Sequence, residues 1–272
     1  MKKNFFGTVK NKAYRFHQFI HLEKGPMNTA IIDFLKGDIY QVENQIIEKF
    51  KNEEYNSIID FIYSAEKEGL IINVDRNIWI PYFSFDVSSQ TEIGLSFELQ
   101  VEEGVDLKYI KSKFNDFEII KILFYGKVRH QKLFPKIKIT EKRKNFNRCV
   151  KLSKVDKNFP KITESFFRFN MKYNSCWGKN IAITKDNKIK PCIFSEIVIG
   201  DLEKDNIYDM IEKIKGYWFI TKDKVKKCKD CELRYVCFDC REIPLRMTGD
   251  LYAPNPNCKY NPYTGVWFEE RF

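Results

Sequence analysis

Cys228-Lys-Asp-Cys231-Glu-Leu-Arg-Tyr-Val-Cys237-Phe-Asp-Cys240 places four thiols within 13 residues. A Cys-x2-Cys pair can set two sulfurs on one ion or cluster across a tight turn, so this segment predicts one or two soft metal centres. One four-thiolate zinc site would use Cys228, Cys231, Cys237 and Cys240 and leave Cys176, Cys192 and Cys258 unexplained. Residues 181–192 read as a strand, a turn at Asp186-Asn187, a second strand and then Pro191-Cys192. Such a hairpin brings Cys176 and Cys192 to neighbouring ends of two antiparallel strands. Seven thiols in this order predict more than one metal centre. The eighth, Cys149, reads as a buried small hydrophobe.

Charge is as segregated as the cysteines. The 272 residues carry 47 Lys and Arg against 37 Asp and Glu, a formal charge of +10. Residues 1–107 sum to −6, 108–161 to +13 and 162–272 to +3, so the excess belongs to the middle. A hydrophobic content of 43% supplies real cores and excludes disorder throughout the chain. No apolar run approaches the roughly 20 residues that span a bilayer. The basic start lacks an apolar stretch behind it, so no signal peptide is expected. A cytoplasmic location follows, where eight cysteines are not expected to form structural disulfides.

Working toward the N-terminus, residues 14–22, 28–35 and 39–42 read as strands, with a turn at Lys36-Gly37-Asp38. Ile46, Ile47 and Phe50 share one face of a short helix. Ile58, Ile59, Ile62, Tyr63 and Leu70 repeat the pattern in a longer one that ends near Gly69. Residues 71–80 suggest a small hairpin turning at Asp75-Arg76-Asn77. In the middle, residues 94–101 alternate as a strand, 105–117 as a helix, and 118–125 as a buried apolar strand ending at Gly126. That β-α-β order favours parallel pairing. Residues 136–140 and 149–152 are further strand candidates.

The spacing Cys176-x15-Cys192, Cys228-x2-Cys231-x5-Cys237-x2-Cys240, then Cys258, with Ile199-Gly-Asp-Leu202, resembles the SPASM domain of radical-SAM peptide maturases. Residues 228–241, together with Tyr260-Asn-Pro-Tyr-Thr-Gly-Val-Trp267, look like the SPASM-domain maturases of grasp-with-spasm systems for ribosomally synthesised peptides. Those maturases accompany an ATP-grasp ligase. The resemblance covers about residues 170–270 and implies two auxiliary [4Fe–4S] clusters. Cys228, Cys231, Cys237 and Cys258 would ligate one. Cys176, Cys192 and Cys240 would ligate the other, whose fourth cysteine is missing. The last gap of the quartet is one residue short, and Asn187 stands at the turn where the family has glycine. Residues 29–41 with the two following helices resemble the precursor-recognition element that takes a leader peptide as an added strand. That resemblance implies peptide contacts at Ile39, Tyr40 and Gln41, flanked by Ile58 and Ile62.

The radical-SAM triplet Cys-x3-Cys-x2-Cys is absent, and about 90 residues between the regions are too few for a full barrel. Neither GxxxxGK[ST] nor GxGxxG occurs. His17, His21 and His130 form no HExxH, and Glu102-Glu103 reads as a solvated turn. The expected fold is α+β or α/β. It comprises a winged-helix-like domain over 1–80, a basic, truncated α/β (partial-barrel) middle over 81–170, and a SPASM module with a β-hairpin over 171–272. The expected role is a peptide-maturation accessory, with no catalytic residue assigned. It would bind a leader peptide, carry one or two [4Fe–4S] clusters and serve an ATP-grasp partner. The alternative is a zinc-ribbon nucleic-acid-binding protein that holds Zn in the quartet and phosphates on the basic middle.

Overall fold

A computed structural model describes residues 11–81, 96–127, 133–147 and 159–268. Cys149, His130, Gly94 and the strand expected over 149–152 lie outside these residues. The fold is mixed α/β, with six helices among the described residues.

The N-terminal part contains β1 (Lys12–Phe16), β2 (Ile20–Lys24), β3 (Asn28–Asp33), β4 (Asp38–Glu43), α1 (Asn44–Lys51), a 3₁₀ turn (Tyr55–Ile58), α2 (Ile59–Lys67) and β5 (Ile71–Asp75). Strands β2, β3 and β4 form an antiparallel meander with β4 at one edge. The strand expected over 14–22 is broken, because the Ile20 amide donates back to the His17 carbonyl at 3.1 Å. Before that turn β1 pairs with β5; after it β2 pairs with β3. The hairpin expected over 71–80 is therefore a single strand that pairs with β1, from Lys12 with Asp75 to Phe16 with Ile71. Pairing with itself would leave buried Ala13, Tyr14 and Phe16 without a partner strand. The turn at Lys36-Gly37 forms as expected. Gly37 has φ +74°, which a side chain would strain, and its amide donates to the Asp33 carbonyl. Phe16, Ile31, Ile47, Phe50, Ile58, Ile62 and Leu70 make the core of this part.

The second sheet has six strands: β6 (Ser96–Glu102), β7 (Glu118–Tyr125), β8 (Lys138–Lys142), β9 (Asn180–Ile183), β10 (Lys188–Lys190) and β11 (Gly200–Asp201), in the order β11-β10-β9-β6-β7-β8. Strands β6, β7, β8 and β9 are parallel, while β10 and β11 return antiparallel. Three strands come from either side of residue 170, so one sheet joins the basic middle to the cysteine-rich part. Helices α3 (Leu107–Lys113) and α5 (Ile207–Trp218) contribute Ile110, Phe114, Met210, Ile214 and Trp218 to the core against Phe97, Leu99 and Val101. Strand β7 is only half-buried, contrary to the continuous apolar run in its sequence. A bulge between the pairs Phe97–Ile119 and Glu98–Lys121 extrudes Ile120, which is 51% exposed, and lets Ile119 and Ile122 both reach the core.

The β9–β10 hairpin turns where the sequence places it. Asn187 takes φ +59°, and its side chain donates to Glu203 at 2.6 Å. Replacing it by alanine is expected to cost about 1–2 kcal/mol, the penalty of a Cβ in the left-handed region. Glycine there should cost less than half as much. Urea denaturation midpoints of the two variants check the order.

Helix α4 (Glu164–Lys172), helix α6 (Glu242–Thr248) and the ribbon β12 (Tyr260–Asn261) with β13 (Val266–Trp267) complete the described chain. Ala30, Ile32, Ile162, Phe167, Leu233, Val236 and Tyr260 form a third core, which docks the far face of the N-terminal sheet onto the cysteine-rich part. Each of the Ile, Leu, Val and Phe side chains buried there contributes about 1.5–3 kcal/mol. Alternation along β4 serves both cores: Tyr40 and Val42 turn to the first, and Ile39 to the third.

Candidate metal centres

The seven cysteines among the described residues are free thiols, and they sort into two groups. Cys228, Cys231, Cys237 and Cys258 line one cavity, with Lys222, Lys227, Arg234, Asn255 and Tyr260 around them. Cys240 belongs elsewhere. It is hydrogen-bonded to Cys176 and close enough to Cys192 for its charge to act there. The division is the one implied by the resemblance, and it differs from a zinc site built on Cys228, Cys231, Cys237 and Cys240.

Local geometry explains how the first group forms. Lys227 has φ +66°, and the Cys228 amide donates to the Lys226 carbonyl at 2.7 Å, a tight three-residue turn that is rare outside glycine. The Lys227 ammonium donates to the Tyr260 carbonyl at 2.8 Å, which ties this turn to the segment carrying Cys258. Burial pushes the Cys228 and Cys231 thiols up, and Cys237 up to about 11. Lys222 is 6% exposed and donates to the Cys237 sulfur at 3.3 Å. Burial alone would lower its ammonium, but negative charge at Cys237, Cys228 and Asp239 outweighs that and holds it above the ordinary value.

The hairpin register, with Lys190 opposite Ala182, puts Cys192 and Cys176 at the same end of the β9–β10 ribbon, as expected. The Asn174 side chain accepts from the amides of Cys176 at 2.9 Å and Trp177 at 2.8 Å. The Ile193 amide donates to Gln100 of β6 at 3.0 Å, which anchors the Cys192 loop to the sheet. The hydrogen bond from Cys176, with the amides of Ile243 and Glu242, holds the Cys240 thiol below its ordinary pKa against the effect of burial. Burial pushes Cys192 up to about 12.

The donor chemistry fits iron–sulfur clusters. Among the described residues no three His, Cys, Asp or Glu side chains gather as tightly as ligands of a bare ion. Four thiols line one cavity, and soft thiolates of this kind are donors to iron–sulfur clusters and to zinc alike.

Two buried carboxylates that sequence reasoning missed organise these groups. Asp239, 1% exposed, accepts from Asn174 at 2.8 Å and from Arg241, and lies 3.8 Å from Lys222. Glu232, fully buried next to Cys231, accepts from Gln41 of β4 at 2.7 Å and from the Tyr260 hydroxyl. Gln41 in turn accepts from the Trp267 indole at 2.8 Å. Their only sequence signal is position, one residue from a cysteine inside the quartet.

The expected peptide contacts divide. Ile39, Tyr40 and Gln41 lie on the edge strand. Ile58 and Ile62 are 6% and 2% exposed inside the N-terminal core, whereas Ile59 and Tyr63 are the exposed apolar side chains of α2. The most regular positions of the helical pattern are those that hold the domain together. His17 and His21 are partly buried, beside Asp33 and Glu23. Glu102 is more than a solvated turn residue. It accepts from Lys144 at 2.7 Å and from the Lys185 amide at 3.0 Å, and these bonds hold its carboxyl below the usual range although burial opposes them. Lys121 and Lys161 of the basic middle are likewise paired, with Glu98 and Asp38.

No family model matches the chain, and no curated protein matches it. No helix among the described residues is long and apolar enough to cross a membrane.

Proposed function

We propose that this chain is an accessory protein in the maturation of a ribosomally synthesised peptide. The N-terminal sheet holds the leader, a SPASM-type module holds two [4Fe–4S] clusters, and the precursor is presented to an ATP-grasp ligase. The observation that carries the reading is the sorting of seven thiols into sets of four and three, with Cys258 rather than Cys240 completing the four. A bound cluster supplies one-electron redox capacity tuned by its ligands and burial. Cys228, Cys231, Cys237 and Cys258 would hold the first, with the Lys222 ammonium offsetting thiolate charge. Cys176, Cys192 and Cys240 would hold the second. The winged-helix-like and partial-barrel descriptions belong to this same proposal. Strands β6, β7 and β8 with α3 are what would remain of a barrel.

Strand β4 supports the peptide role. The Asn44 amide donates to the Met27 carbonyl, so in the alternating antiparallel ladder the Ile39 and Gln41 amides point away from β3. Among the described residues no other backbone group bonds to them. A peptide added there would lie on the strand whose Gln41 contacts Glu232 beside Cys231, so that leader and cluster would share a wall.

Ile39→Pro removes one outward amide while leaving the β3 ladder intact. The probe is a synthetic leader peptide of a grasp-with-spasm precursor, titrated by calorimetry. About tenfold weaker binding is expected, the scale of one net hydrogen bond with some loss of register. Equal binding by both proteins would refute strand addition. A zinc-ribbon protein would instead bind duplex DNA with steep salt dependence and arrive colourless, with stoichiometric zinc.

A further inference from the structure

The second set of thiols has three members, and the structure places a fourth donor beside them. Cys240 is followed two residues later by Glu242, the first residue of α6, and the amides of Glu242 and Ile243 both bond the Cys240 sulfur. The Glu242 side chain is fully buried. Its Oε1 accepts from Arg246 Nε at 2.7 Å and from the Glu196 amide at 3.3 Å. Its Oε2 is buried and has no hydrogen-bond partner. Such a carboxylate oxygen is costly unless something else satisfies it. The carboxylate is near enough to Cys192 for its charge to act on that thiol.

Glu232 provides the comparison within the same molecule. It too is fully buried with one unpartnered oxygen, next to a cysteine. That oxygen is pressed against Gly25, where an added Cβ would come within 2.3 Å of it, so packing accounts for its position. Four thiols already line the neighbouring cavity. Glu242 instead lies beside the set that has only three thiols, two residues after Cys240 in the chain and within electrostatic reach of Cys192.

We infer that Glu242 Oε2 is the fourth protein ligand of the second cluster, completing a three-thiolate, one-carboxylate set with Cys176, Cys192 and Cys240. Arg246 fixes the carboxylate through its other oxygen, as partners of ligating carboxylates commonly do. A cluster held by these four residues would have a protein ligand for each of its irons. The sulfur-only sites and this oxygen-bound site differ in donor hardness, so they are distinguishable by spectroscopy.

This inference rests on the two-cluster reading, and the experiment separates the two. Full-length protein is reconstituted anaerobically with ⁵⁷Fe, its iron counted and its Mössbauer spectrum recorded. About eight irons per chain are expected, one of them with a higher isomer shift than the thiolate-bound sites. Glu242→Gln, nearly isosteric, should lose at least one iron and give a [3Fe–4S] signal in the oxidised protein. Glu242→Cys should keep all the iron and lose the distinct site. Eight equivalent thiolate-type irons in the wild type, or an unchanged spectrum in Glu242→Gln, would overturn the ligand assignment while leaving two clusters intact. A wild type holding no more than about four irons would overturn the two-cluster reading, and the assignment with it.

Discussion

Replacing Cys231 and Cys258 together by alanine is expected to remove one cluster and halve the iron, from about eight to about four per chain. These two residues approach the cavity from segments 27 positions apart, one on the Cys228–Cys231 turn and one ahead of β12. Losing both leaves two thiols, too few to retain a four-iron centre. Cys176, Cys192 and Cys240 are untouched, so the remaining iron reports the second centre alone. The sharper contrast comes from Cys237→Ala/Cys240→Ala. A single site at 228, 231, 237 and 240 would lose one ligand to the first pair and two to the second, and Cys258 would not matter to it. With the thiols sorted as they are here, the second pair damages both centres and iron should fall well below half. Iron assay and visible absorbance on anaerobically purified proteins decide it. Undiminished metal in a Cys258→Ala single variant, with loss in Cys240→Ala, would mean that the four residues 228, 231, 237 and 240 act together.

Stability should follow the metal. Buried thiols whose pKa burial has raised must lose protons to become ligands, and binding supplies that free energy. Chelation should therefore lower the midpoint of the Cys231→Ala/Cys258→Ala variant by less than it lowers the wild-type midpoint, because only the second centre remains to be stripped.

Much of this arrangement was legible in the sequence where one short-range rule governs the outcome. The β9–β10 turn follows from Asp186-Asn187 and the β6–α3–β7 order from hydrophobic period. What escaped notice depends on partners distant in the chain. Residues 71–75 look like half of a hairpin because their real partner, β1, lies some 60 residues earlier. Strand β7 looks buried on both faces because no local feature marks the bulge at Ile120. Ile58 and Ile62 have the right spacing for a helix face, but spacing does not say whether that face meets the core or a ligand. Glu232, Asp239 and Glu242 read as ordinary charges in a chain with 31% charged residues. Their burial appears only when the segments assemble around them.

Asp239 is where that assembly should be most sensitive. One of its oxygens faces Arg241 and Lys222, and the other accepts from Asn174. Lys222 reaches Cys237 in the set of four, and Asn174 holds the amides that lead into Cys176 in the set of three. A single carboxylate therefore connects both cysteine groups, through an ion pair with Lys222 on one side and a hydrogen bond from Asn174 on the other. Arg241 is fully exposed to none of the solvent and also donates to the carbonyls of Leu251 and Ala253. Asp239→Ala leaves the Arg241 and Lys222 cations buried without their shared counter-charge, a loss of about 3–5 kcal/mol. At about 5–15 kcal/mol for a whole domain, that is enough to unfold the cysteine-rich part or leave it barely stable. Asp239→Asn keeps the shape and the bond to Asn174 but removes the charge, so it should cost less and should weaken the Lys222–Cys237 side more than the Asn174–Cys176 side. Urea denaturation of the loaded proteins gives the first quantity, and the iron retained by Asp239→Asn gives the second. An Asp239→Ala protein within about 1 kcal/mol of the wild type would mean that the two cation partners find other acceptors and that the carboxylate is not the link between the centres.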